Sequence, residues 1–230
     1  MKVCAVIPAG GQGTRMGGAV PKQFQALRGK PILHYTLQTL QESGLIDSLV
    51  LVVPERELEN TCSDWLGHPP VVKQVVAGGE KRQDSVFNGF QALPADTDIV
   101  LVHDGVRPFL SRKMIQETIH VAEQYGAAIT AIPVNDTIKR VDGSGKVQST
   151  VDREGLWRVQ TPQVFRHDLL RSAFRKAQRD SFYGTDEGSL IEYLGREVRI
   201  VDGSEWNIKI TGPEDLVLGE SIVMKLFPEV

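Results

Sequence analysis

The stretch VCAVI (Val3–Ile7) running into PAGGQGTRMGGAVPK (Pro8–Lys22) decides the fold. Five consecutive apolar residues read as a strand buried on both faces, and Pro8 with the glycines behind it ends that strand in a loop. Working outward, similar runs recur at Leu49–Val53, Val71–Val76, Ile99–Val102 and Ala127–Ile132. Amphipathic stretches of helical length lie between most of them, near 31–43, 56–66, 82–93 and 112–125. Strands alternating with helices predict an α/β fold built on a doubly wound, mostly parallel, Rossmann-like sheet. Such sheets take their ligands at the carboxyl ends of the strands. Chemistry is therefore expected in the loops after Ile7, Val76 and Val102, which read PAGGQGTRMGGAVPK, AGGEKRQDS and HDGVRP.

The rhythm breaks at NDTIKRVDGSGKVQSTVD (Asn135–Asp152), where apolar and polar residues alternate around Gly143-Ser144-Gly145. That pattern predicts an inserted β-hairpin arm over about 135–153. A lone hairpin buries little and is marginally stable, so a partner subunit is expected to cover it, making a homodimer. Helices follow near 167–180 and over Asp186–Leu194, then a strand at Val198–Val201 and a last helix from Pro213. No repeat, low-complexity tract or linker divides the chain, so residues 1–230 are expected to form one domain carrying the arm.

A length of 230 residues at 41% hydrophobic content suffices for one sizeable core. With 26 basic against 29 acidic residues, the net charge of -3 offers no global field for gripping a nucleic acid or an anionic membrane, so any anionic ligand must be held locally. Cys4 and Cys62 stand in neither metal-type nor redox-type spacing, which suits a reducing compartment. There is no basic leader ahead of an apolar stretch, and no apolar run of membrane-spanning length, so the cytoplasm is the expected location.

In the first loop Gly10, Gly11, Gly13, Gly17 and Gly18 accompany Arg15 and Lys22, placing close-approaching backbone amides and two cations beyond a strand end, as phosphates require. The plainer alternative is a solvated surface loop. Two commoner phosphate motifs fail. The dinucleotide fingerprint counted from Gly11 and Gly13 meets Met16 at its third glycine, and no Gly-Lys-Ser or Gly-Lys-Thr of a P-loop occurs. In the second loop Gly78 and Gly79 precede Glu80, Arg82, Asp84 and Ser85 at a helix start, which suits a ribose or base pocket or an ordinary strand-to-helix turn. Asp104 follows the apolar run and His103, bringing a hard oxygen ligand for Mg²⁺ to the sheet edge; as a bland alternative it caps a helix. A strand-end histidine such as His103 is more often structural than catalytic. Arg107 fits either a structural role or the basic rim.

At this point the chain resembles a known family. The strings PAGGQGTRMGGAVPKQF, GGEKRQDSV, HDGVRPF, NDTIKRVD, VDREGLWRVQTPQVF, TDEGSLIEYLG and NIKITGPEDL stand in the order and spacing of the methylerythritol phosphate cytidylyltransferases, across essentially the whole chain. The resemblance implies transfer of a cytidylyl group from CTP to 2-C-methyl-D-erythritol 4-phosphate, with release of pyrophosphate and Mg²⁺ as cofactor. It implies that Arg15 and Lys22 stabilise the pentacoordinate α-phosphate, and that Asp104 and Lys209 attend metal and phosphates. Ala9, Gly10, Gly11, Gly79, Ser85 and Gly105 would cradle the cytidine. Thr137 and Arg153 would reach the acceptor in the neighbouring subunit's site, and Thr161 and Thr185 match further pocket positions. Family members often carry Ala at the places of Gly10 and Gly105. On the residues alone, Lys209 in Asn207-Ile208-Lys209-Ile210 reads as a solvent-facing strand lysine and Thr185 as a helix N-cap. A ribitol phosphate cytidylyltransferase would share these loops and differ in its acceptor pocket. A nicotinamide oxidoreductase is disfavoured by Met16, and a nonenzymatic sensor would bind CTP without releasing pyrophosphate.

Overall fold

The computed structural model describes residues 1–10, 21–65 and 67–227. In chain order the strands are β1 (Val3–Pro8), β2 (Ala26–Leu27), β3 (Lys30–Pro31), β4 (Ser48–Val53), β5 (Val72–Ala77), β6 (Ile99–Val102), β7 (Ala127–Pro133), β8 (Ile138–Val141), β9 (Val147–Val151), β10 (Trp157–Arg166) and β11 (Arg199–Asp202). The helices are α1 (Ile32–Ser43), α2 (Leu58–Trp65), α3 (Arg82–Gln91), α4 (Arg112–Tyr125), α5 (His167–Arg179), α6 (Glu187–Tyr193) and α7 (Pro213–Leu226). Seven strands form one sheet in the order β11-β7-β10-β6-β1-β4-β5. β1 pairs in parallel with β4 on one side and β6 on the other.

The period of two along each strand sorts the core into two layers. Val3, Ala5 and Ile7 of β1, with Leu49 and Leu51 of β4 and Leu101 of β6, pack against Leu33, Leu37 and Leu40 of α1 and Ile115 and Ile119 of α4. Cys4 and Val6, with Val50, Val52, Val100 and Val102, face Val86 and Phe90 of α3 and Leu170 and Phe174 of α5. Because both faces are covered, these strands read as unbroken apolar runs rather than as alternating ones. α4 illustrates the local rules. Ser111 Oγ accepts the Met114 N–H at 3.2 Å as N-cap, and the helix buries Met114, Ile115, Thr118, Ile119 and Ala122 along one face before ending at Gly126, whose φ is +94°.

One element goes beyond the sequence reading, and one expectation needs correction. Ten residues over Trp157–Arg166 form β10, a strand not anticipated from the sequence, which runs antiparallel between β6 and β7. Pro162 inside WRVQTPQVFR argues against a central strand, since proline donates no ladder hydrogen bond. The structure accommodates it where the pairing with β7 shifts register between Val159 and Gln163. The Asn207–Ile210 segment is likewise not a strand but an extended loop, fastened by Ile210 N–H to the Val106 carbonyl at 2.9 Å.

The predicted arm is present. β8 and β9 pair antiparallel in a two-stranded sheet separate from the main one. Asp142 Oδ1 accepts the N–H groups of Ser144 and Lys146 at 2.9 and 3.1 Å, and Gly145 takes φ +86° to close the turn. Ile138, Val141 and Val147 on the arm, and Leu156, Trp157 and Val159 beside it, are exposed. Among the described residues no helix is long and apolar enough to cross a membrane.

Candidate active site

The chain leaves β1 toward β4 on one side and later returns to β6 on the other, so a crevice opens at the carboxyl ends of β1 and β6. A cleft of about 590 Å³ occupies it, lined by Ala9 and Gly10 after β1, Lys22, Gly79, Glu80, Arg82 and Ser85 around the start of α3, Asp104 after β6, and Lys209. Its wall at β5–α3 needs glycine. A Cβ on Gly79 would lie 2.4 Å from Asp84 Cβ, and one on Gly78 would lie 2.8 Å from Ser85 Oγ. That closeness lets Ser85 Oγ accept the Gly79 N–H at 3.0 Å, and Ser85 is buried. Among the described residues nothing lies nearer than 3.9 Å to a Cβ on Gly10, whereas a Cβ on Gly105 would press on Leu33 Cδ1 at 3.1 Å and Ala9 Cβ at 3.2 Å.

Asp104 is the electrostatic centre. Its buried carboxylate meets Lys209 Nζ at 2.9 Å and Arg107 Nε at 3.5 Å through Oδ2, and Arg82 Nη2 at 3.3 Å through Oδ1. Burial alone would raise this carboxyl, but the charges of Arg82 and Lys209 outweigh it and hold it well below the usual carboxylate range. Arg82 is itself gripped from behind, because its Nη1 donates to both oxygens of Glu187 at 2.7 and 2.9 Å. Burial would lower Arg82, and Glu187 with Asp104 overcomes that and holds it above its ordinary value. Burial pushes the Glu187 carboxyl up, with Arg82 pulling the other way. Two short hydrogen bonds favour the ion pair, so Arg82 is fixed as a cation.

The bulge in β10 turns Thr161 toward this centre. Thr161 Oγ1 accepts the Asp104 N–H at 3.1 Å and lies 3.0 Å from His103 Nδ1, while His103 Nε2 lies 3.0 Å from the Arg107 carbonyl. A carbonyl can only accept, so Nε2 carries the proton and the Thr161 hydroxyl donates to Nδ1. His103 is therefore structural here, as its strand-end position suggests. Gln160 accepts the Asn207 amide at 3.2 Å and the Asn207 amide also donates to the Thr161 carbonyl at 2.8 Å, tying the Lys209 loop to the same bulge.

Burial pushes the His103 imidazole down to about 4, against smaller upward effects from the Arg107 carbonyl and the Asp104 charge. In the unfolded chain it returns to about 6.5, so between these values the unfolded state binds a proton that the folded state excludes. Stability should thus fall as pH drops from about 6.5 toward 4, by up to roughly 3 kcal/mol from this one group. Denaturant midpoints at pH 7 and pH 4.5 test this. His103→Asn should flatten the pH dependence, and equal slopes in both proteins would assign it elsewhere.

A second cleft of about 370 Å³ shares Arg82, Asp104 and Lys209 with the first and adds Arg107, Thr161 and Thr185. Thr185 does not cap α6. Asp186 does, accepting the Ser189 N–H at 2.9 Å, which leaves Thr185 on the cleft wall. Arg107 serves both of its suggested roles, since Nη1 donates to the Asn207 carbonyl at 2.8 Å while Nε faces Asp104. Thr137 and Arg153 line neither cleft of their own chain, and Arg153 Nη1 donates to the Asn135 carbonyl at the arm's base. Gly11, Gly13 and Arg15 lie outside the described residues. Sequence reasoning missed Glu187, whose place in the first turn of α6 looks like routine helix-terminus charge. The one available signal was its adjacency to Thr185 and Asp186.

Nucleotides are the ligands that the carboxyl-end crevice of a doubly wound sheet suits, and the cations around Asp104 suit their phosphates, which defines the class as an α/β nucleotide-binding protein. Comparison narrows the class. The family model described as IspD, 2-C-methyl-D-erythritol 4-phosphate cytidylyltransferase, matches residues 3–225. Proteins of that description from Syntrophus aciditrophicus and Pelotomaculum thermopropionicum are 44% and 46% identical to the chain, covering 97% and 96% of it and 97% and 94% of their own lengths. The crystal structure of the 4-diphosphocytidyl-2C-methyl-D-erythritol synthase from Anaerococcus prevotii superposes with a TM-score of 0.84 at 32% identity, over 97% of this chain and 98% of that one. The chain belongs to the 2-C-methyl-D-erythritol 4-phosphate cytidylyltransferase family.

Proposed function

We propose that the chain transfers the cytidylyl group of CTP to 2-C-methyl-D-erythritol 4-phosphate in the non-mevalonate route to isoprenoids, with CTP in the larger cleft and the acceptor in the smaller. The supporting observation is that the two clefts share Arg82, Asp104 and Lys209. Two phosphates, one in each cleft, would meet at that charged wall. An acceptor monoester with a second pKa of about 6 is largely dianionic at neutral pH and needs no general base. The protein's task is to align two mutually repelling anions in line and to neutralise charge growing on the α-phosphate. Lys22, Arg82 and Lys209 supply cations within the larger cleft, and Arg15 adds another by family resemblance. Gly79 and Ser85 would seat the base and ribose, with Ala9, Gly10 and Gly11 along the nucleoside and Glu80 at the rim.

Asp104 is the residue to hold Mg²⁺. Among the described residues no three His, Cys, Asp or Glu side chains cluster as a protein-built metal cage. A single ionised carboxylate beside the phosphate path is nonetheless what this ion takes when it arrives with a polyphosphate. When bound, the ion supplies Lewis-acid neutralisation of phosphate charge. Lys209, now paired to Asp104, would then be available to the leaving pyrophosphate. The arm, with Thr137 and Arg153, would complete the partner's acceptor pocket in a homodimer.

The direct test is pyrophosphate release from CTP with methylerythritol phosphate and ribitol phosphate compared as acceptors. Turnover with methylerythritol phosphate should exceed that with ribitol phosphate by at least about 100-fold, since a mismatched polar group left unpaired in a pocket costs several kcal/mol. Preference for ribitol phosphate would reassign the acceptor, and CTP binding without pyrophosphate release would mark a nonenzymatic sensor.

A further inference from the structure

Gln23 follows Lys22 in the short 3-10 turn Lys22–Phe24 and lines the larger cleft beside Val106. Its side chain belongs to the cleft floor, fully shielded from bulk water, and neither Nε2 nor Oε1 has a hydrogen-bond partner among the described residues. Among the described residues it is the one carboxamide with both polar atoms so placed; Gln38 Oε1 and Asn207 Oδ1 are single atoms, and neither residue lines this cleft. Burying an amide without partners is costly, so folded proteins rarely retain one unless a ligand completes it. The surrounding backbone does not use it: the turn is closed by main-chain bonds, Phe24 N–H to the Pro21 carbonyl at 2.9 Å and Gln25 N–H to the Lys22 carbonyl at 3.2 Å.

We propose that Gln23 is a nucleotide-binding residue, its carboxamide reserved for the polyphosphate of CTP. Neither atom has accessible surface in the free protein, so CTP reaches them with a small shift of the Lys22–Phe24 turn; Nε2 then donates to a phosphate oxygen, and Oε1 accepts from a water molecule that the polyphosphate carries. This rests on CTP occupying the larger cleft. Adjacency to Lys22 and the shared cleft with Asp104 and Lys209 select the phosphate end, since on the same reading Gly79 and Ser85 seat the nucleoside end. An amide complements the lysine there. It offers a directed donor and an acceptor where a second cation would only add charge.

Gln23→Met separates this from a structural role, because it keeps the volume and removes both polar atoms. A glutamine whose amide is satisfied only by ligand should yield a free protein as stable as the parent or more so, with a melting temperature unchanged or raised by roughly 2–4 °C. CTP binding, read by calorimetry, should weaken about tenfold, the usual loss for a hydrogen bond to a charged group. CMP, which lacks the β- and γ-phosphates, should lose much less. A melting temperature lowered by the substitution, up to failure to fold, would overturn the proposal by showing that the amide is satisfied within the protein. Equal CTP affinity in parent and variant would overturn it too, as would equal losses for CTP and CMP. Absence of CTP binding by the parent protein would instead refute the assignment of the cleft, so the two failures are distinguishable.

Discussion

Asp104→Asn should lower kcat by about 100- to 1000-fold, the cost of removing one electrostatic contact matched to the transition state. The substitution keeps shape and strips the charge that Arg82, Lys209 and Arg107 surround. Stability should fall as well, because three cations lose a shared counter-charge. Arg82 and Lys209 are about a third exposed, 31% and 35%, and can turn toward water, so the loss should be about 1–3 kcal/mol rather than that of a sealed pair. A protein still folded at 25 °C yet nearly inactive would identify the charge, not the fold, as what was lost. Titration with Mg²⁺ supplies the second readout: the half-saturating concentration should rise if Asp104 holds the ion. Near-normal turnover at low Mg²⁺ would remove Asp104 from the metal shell. The pH profile should be unaffected by Asp104 itself. Its carboxyl is held far below the usual range, so its contribution to stability is present above about pH 4 and lost only as pH falls through that depressed value. Any acid limb near pH 6 should instead report the acceptor phosphate becoming monoanionic.

The parts of the molecule legible in the sequence are those where one local rule decides. β1, β4 and β6 are buried on both faces, so each is an unbroken apolar run, and α4 carries its cap, its stripe and its glycine stop in plain order. The loops after β1, β5 and β6 do hold the cleft, because strand direction alone fixes where carboxyl ends lie. What escaped was decided by contacts distant along the chain. β10 is a central strand containing a proline, tolerable only at a bulge that pairing with β7 creates. That bulge in turn aims Thr161 at Asp104, 57 residues earlier. Glu187 is buried with its carboxylate on Arg82, 105 residues away. Lys209 is placed by Gln160 and Asn207 rather than by a ladder. Neither periodicity nor motif spacing encodes such pairings, and only family resemblance singled out Thr161 and Lys209.

Mixing two inactive variants should restore activity if each site is built from two subunits. The motive is physical: β8 and β9 stand apart from the main sheet, their apolar residues Ile138, Val141 and Val147 face solvent, and a two-stranded hairpin is marginal by itself. A two-fold dimer would cover each arm and carry Arg153 to a cleft that it does not line in its own chain. Lys209→Ala disables the cleft and Arg153→Ala disables the arm, so each homodimer should retain at most a few per cent of parental turnover. In a heterodimer with sites completed in trans, both lesions fall in one site and the other site is wholly native. Random reassortment makes about half of the dimers heterodimeric, each with one working site of two, so recovered activity should be about a quarter of the parental value. With sites completed in cis, every site carries one lesion and nothing is recovered. Co-expression of differently tagged chains, purified through both tags, isolates the heterodimer and doubles the expected value to about one half. Verified heterodimers as inactive as both parents would return Arg153 to its own chain, where its bond to the Asn135 carbonyl would make it a brace for the base of the arm.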